Sequence, residues 1–150
     1  MKYFQNVVEA VTSLDVNTSA PAVIYSVFIP SMKVGDILNI TSEFEVSNES
    51  VSQQGGDGYR ITIGSSMIIA DSAIATTGTI IDQEKAYIVT KDMHHTVVVK
   101  ALNYRADSIL TDKYINIVAY ADAPDSDSSP GEYLVVEQNY GHLDVVQFVY

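Results

Sequence analysis

Hydrophobic and polar positions alternate along much of the chain in short runs, and the period of the alternation is two. Over 37–46 the apolar Leu38, Ile40, Phe44 and Val46 fall on one side, and Asn39, Thr41, Glu43 and Glu45 fall on the other. That pattern predicts a strand with one face in a core and one in water. A second kind of strand carries apolar side chains on both sides. In 22–30, Val23, Tyr25, Val27 and Ile29 alternate with Ile24 and Phe28, and the runs 96–104, 114–121 and 143–150 share that two-sided character. An antiparallel sheet in water has one core to fill, so a second apolar face predicts a second cover. Another copy of the chain is the expected cover. The residues assigned to that seam are Val23, Tyr25, Val27, Val98, Tyr104, Tyr114, Val118, Tyr120, Phe148 and Tyr150.

The same reading places strands at 3–12, 22–30, 37–46, 59–70, 86–90, 96–104, 114–121, 132–138 and 143–150, with short extra pairings drawn from 73–81. Apolar residues in 7–14 also recur near helical spacing, so a helix there competes with the strand. Turn residues support the segmentation: Gly35 and Asp36 precede the cleanest alternating strand, 53–58 is rich in glycine, and 123–131 is a loop of Pro, Asp and Ser. Eight to nine strands at this spacing predict an all-β, antiparallel β-sandwich with jelly-roll-like connections. An immunoglobulin-like sandwich is disfavoured, because the chain has neither the Cys pair nor the Trp of that core. No linker, internal repeat or coiled-coil heptad divides 1–150, which is read as one domain.

Composition narrows the function classes. With 150 residues the chain buries enough surface to fold without staples, and with no cysteine it has no thiol chemistry or Cys-based metal site. A formal charge of −11, with no Lys/Arg cluster, repels a phosphate backbone and argues against direct nucleic-acid binding. No apolar run reaches the ~20 residues of a membrane helix. Residues 1–10 lack the apolar core of a secretory signal, so the Asn-x-Ser/Thr triplets at Asn17, Asn39 and Asn48 are read as chance.

The candidate chemistry is thin. His94 and His95 are neighbours, so on a strand they point to opposite faces and do not share a metal, and His142 is read as ending a turn. The acids Asp122, Asp125, Asp127 and Glu132 do not match an EF-hand and are read as a solvated loop tip. Gly55, Gly56 and Gly58 lack the following Lys-Ser/Thr of a phosphate loop. Gly64-Ser65-Ser66 lacks the glycine that completes a nucleophile elbow. No enzyme activity, cofactor or metal is expected. The ten tyrosines suit strand rims, subunit contacts and sugar-binding surfaces. Tyr59 and Arg60, on the shoulder of a glycine-rich tip, form the candidate ligand loop.

From His94 onward the order of features has a likeness of its own. His94-His95-Thr96-Val97-Val98-Val99 precedes the strand-like run from Tyr114 to Ala121, then a Ser/Pro loop, then the stretch from Tyr133 to Val145. This last third resembles small jelly-roll virion proteins of bacteriophages, both capsid decoration (cement) proteins and the head domains of fibres and tails. The resemblance implies a homotrimeric structural protein located in the virion, with itself and a major capsid protein or other virion protein as partners. The alternative it implies is a receptor- or carbohydrate-binding head domain of a phage tail or fibre. A fibre head usually rides on a long repetitive shaft, and no shaft is legible in these residues, so decoration of the head is the preferred expectation.

Overall fold

The computed structural model describes residues 1–6, 12–15, 21–48, 61–83, 87–89, 96–122 and 133–149. Ten strands lie among them: β1 (Lys2–Asn6), β2 (Thr12–Asp15), β3 (Ala22–Met32), β4 (Ile37–Asn48), β5 (Ile61–Ala70), β6 (Thr79–Gln83), β7 (Tyr87–Val89), β8 (Thr96–Arg105), β9 (Leu110–Asp122) and β10 (Tyr133–Phe148). They form two antiparallel sheets, β1/β2-β10-β4-β8 and β3-β9-β5-β6/β7.

The topology follows from counting pairs. β1 and β2 both pair with β10, and β6 and β7 both pair with β5, so each couple acts as one interrupted strand. On that count there are eight strands. The first pairs with the last, the second (β3) with the seventh (β9), the third (β4) with the sixth (β8), and the fourth (β5) with the fifth. The chain is therefore one long hairpin, and the pairings of β10 with β4 and of β9 with β5 roll it into a sandwich. That is a jelly roll, the fold expected from the strand spacing.

The core lies between the sheets and is built from every second residue. β4 contributes Leu38, Ile40, Phe44 and Val46, all essentially inaccessible to solvent. β10 adds Leu134, Val136, Leu143 and Val145, and from the other sheet come Tyr25, Val27, Ile29, Ile63, Met67, Ile69, Ile115 and Ile117. Two of these details differ from the sequence reading. In β3 the register shifts between Val23 and Tyr25, so Ile24 joins Tyr25 in the core instead of facing the other way. The runs 132–138 and 143–150 are parts of one strand, β10, because Gly141 adopts φ +128° at an irregularity that lets pairing with β4 resume. A helix is not formed at Thr12–Asp15, which pairs with β10, whereas 7–11 lie outside the described residues.

One corner ties the sheets together. The turn 33–36 carries the chain from β3 to β4, with Gly35 at φ +95° and the Asp36 N–H donating to the Lys33 carbonyl at 3.1 Å. Positive φ at the third turn position favours Gly. The buried Asp36 carboxylate accepts from the Lys33 N–H at 3.0 Å and from Gln147 Nε2 at 3.1 Å, while Gln147 also donates to the Ser31 carbonyl at 2.9 Å. The end of β10 is thus fastened to the crossing between the sheets.

Candidate functional site

The second apolar side of β3 and β9 emerges on the outer face of the sheet β3-β9-β5-β6/β7. Its central strand, β9, turns Tyr114, Asn116, Val118 and Tyr120 outward, since Ile115, Ile117, Ala119 and Ala121 lie in the core. Register sets Phe28 beside Tyr114, and the two rings meet at a centroid distance of 5.1 Å. Register also sets Tyr120 beside Gly64, where a Cβ would collide with the Tyr120 ring. The ring thus occupies the space a side chain would fill. Phe28 and Tyr120 are each 42% exposed, more than a packed aromatic of a lone domain ordinarily shows.

Between these aromatics the chain covers itself. The segment 71–78, which joins β5 to β6, lies over a small second cluster in which Ile68, Ala70 and Val118 are buried and Val23 and Ala75 are partly buried. Asn116, fully buried among apolar neighbours, fastens the cover. Its Nδ2 donates to the carbonyls of Ser72 at 3.0 Å and Ala75 at 2.9 Å, and its Oδ1 accepts from Ser26 Oγ at 2.6 Å. Both of its N–H donors and its carbonyl oxygen are bonded, as a buried amide requires.

The residues assigned to a seam therefore divide. Tyr25, Val27 and Val118 are each buried within their own molecule. Tyr25 spans the sandwich: its ring meets Phe44 edge-on at 6.3 Å and its hydroxyl donates to the Glu43 carbonyl at 3.2 Å. Burial pushes its hydroxyl up to about 12, with the Glu43 charge a smaller contributor. Val23 is half-buried under the cover, and Tyr104 and Tyr114 are half-buried. Tyr120 and Phe148 are exposed. The Val98 side chain, Tyr150, and the candidate ligand loop at Tyr59 and Arg60 lie outside the described residues, as do His94, His95 and 123–132.

The outer face of the other sheet is mixed: Asn39, Glu43 and Asp144 stand there beside the exposed Tyr3, Val99 and Phe148. Asn39 Nδ2 donates across the strands to Asn103 Oδ1 at 2.8 Å. Tyr3 Oη donates to Asp144 Oδ1 at 3.0 Å, a bond to a carboxylate that raises the phenol above its ordinary range. His142, placed by sequence at the end of a turn, instead sits within β10 with Nε2 3.6 Å from Asp144 Oδ2. Among the described residues no group of three or more His, Asp or Glu is placed to hold a metal ion.

A cleft of about 390 Å³ opens where the connections 71–78 and 106–109 meet, lined by residues from Ile69 to Thr79 on one wall and from Tyr104 to Lys113 on the other. Sequence reading missed it, because its two walls are about thirty residues apart in the chain and no local motif joins them. The one available signal was Asn116, a lone amide inside the apolar run of β9.

No protein-family model and no curated protein matches the sequence. Solved structures do match. The chain is similar to a protein of the IBDV viral particle, with a TM-score of 0.61 and 10% identity over 99% of this chain and 30% of that one. It is likewise similar to infectious bursal disease virus VP2 in a subviral particle, with a TM-score of 0.57 and 10% identity over 99% of this chain and 32% of that one. The chain thus spans about a third of the length of these proteins, and what it shares with them is the antiparallel jelly-roll sandwich.

Proposed function

We propose that this chain is a structural virion protein, a homotrimeric decoration protein that stabilises a bacteriophage head. The observation that carries the reading is the outer face of the β3-β9-β5 sheet, where Phe28, Tyr114 and Tyr120 flank the self-made cover and leave large aromatic area in water. Exposed aromatics are enriched among the residues that dominate protein–protein contacts once desolvated. A jelly roll of the kind found in viral particle proteins gives this reading its setting. Its partners are copies of itself and a major capsid protein or other virion protein, and it acts by contact and not by catalysis.

Sedimentation equilibrium of the purified chain tests the proposal. The expected mass is three times 16.4 kDa and persists on dilution. A monomer at low micromolar concentration would remove the reading.

A further inference from the structure

The cleft between the two connections has a chemistry separate from the aromatic face. Its volume, about 390 Å³, falls near the small end of pockets that hold small ligands, roughly 300–1,000 Å³. Ile69 and Leu110 supply apolar wall, Tyr104 supplies a ring, and Thr77, Thr79 and Ser108 supply hydroxyls that both donate and accept. Two carboxylates, Asp71 and Asp107, stand against one ammonium, Lys113, and Lys113 is already paired with Asp71. The remaining charge is that of Asp107, an acceptor only.

We propose that this cleft binds a small neutral carbohydrate, a mono- or disaccharide. Sugar hydroxyls donate to carboxylates and exchange hydrogen bonds with Ser and Thr hydroxyls, while the C–H faces of a pyranose need apolar and aromatic surface. The cleft supplies both. A phosphate, sulfate or carboxylated sugar would meet Asp107 with Lys113 occupied, so anionic ligands are disfavoured. A purely apolar ligand would strand the hydroxyls and carboxylates of the lining.

The walls are set before any ligand arrives. Asn116 holds the carbonyls of Ser72 and Ala75, Lys113 reaches Asp71, and Gly78 sits so close to β5 that a Cβ would collide with the Ile69 carbonyl oxygen. Opposite, Ala106 is fastened to the 33–36 turn, its N–H donating to the Asp36 carbonyl and its carbonyl accepting from the Gly35 N–H, each at 2.8 Å. A pre-formed pocket avoids the ordering cost that weak polar ligands cannot overcome. The inference is independent of the trimer, and either can fail without the other.

The test is an NMR titration of the full ¹⁵N-labelled chain with glucose, galactose, mannose, N-acetylglucosamine, maltose and lactose, up to about 50 mM, a range that covers weak millimolar binding. At least one sugar is expected to shift amides of 69–79 and 104–113 saturably. Asp107→Ala and Ser108→Ala alter exposed positions and are expected to weaken that binding, Asp107→Ala by roughly tenfold or more as a charge-assisted hydrogen bond is lost. Sialyllactose and inorganic phosphate serve as anionic probes. No saturable shift with any neutral sugar would overturn the proposal. So would shifts that survive both substitutions unchanged, or an anionic probe binding these residues as tightly as the neutral ones.

Discussion

At Gly141 a Cβ would collide with the Tyr25 hydroxyl and lie 2.6 Å from the Glu43 carbonyl oxygen, in a backbone with φ +128° that side chains rarely adopt. Gly141→Ala is therefore expected to lower stability by about 3 kcal/mol or more, read from the denaturant midpoint. Adding Tyr25→Phe should restore part of that loss, because it removes the atom met first. Tyr25 also sets an alkaline limit. Its hydroxyl is raised from 10.0 to about 12, so the folded state holds this proton more tightly than the unfolded chain. The folded state therefore loses stability relative to the unfolded chain as pH climbs from 10 toward 12. Stability measured across that window should fall less steeply in Tyr25→Phe, and equal slopes would contradict the assignment. Sequence gave no hint of this role, since an alternating Tyr reads alike whether its hydroxyl finds water, a partner copy or a carbonyl of the opposite sheet.

Among the elements, β4 was legible over 37–46, where the inner and outer faces are those the pattern dictates, and the alternation breaks at Ser47, buried next to Val46. β3 and β10 were legible in part, for one physical reason. A bulge moves every later residue to the other face, and neither the shift at Val23/Tyr25 nor the one ending at Gly141 leaves a signal distinct from a turn glycine or a second apolar face. The segment 71–78 was illegible as a cover, because its anchor is a side chain some forty residues away on β9. Asn116→Ala removes both anchors and leaves two carbonyls and the Ser26 hydroxyl to find other partners. We expect a loss of about 2–3 kcal/mol and faster amide hydrogen exchange confined mainly to 71–78. Exchange unchanged in that segment would mean the cover is held by its apolar contacts with Ile68 and Val118 alone.

For the whole molecule, the two-sided pattern has two outcomes. Part of the second side, around Val118, is covered by the chain itself, and part, around Phe28 and Tyr120, stays in water. The fold class was legible because strand spacing and turn residues carry it. The division of the outer face was not, because it depends on which strands become neighbours. Gly64→Ala would push the Tyr120 ring from its seat, and since the ring is exposed it can swing aside at little cost to the fold. It should weaken association more than it weakens stability. The most direct test is sedimentation of the wild type beside a Phe28→Lys/Tyr120→Lys double variant, with circular dichroism confirming the strand content of both. The wild type is expected to sediment as a trimer and the variant as a folded monomer. A monomeric wild type, or a variant that keeps the wild-type mass, would contradict that expectation.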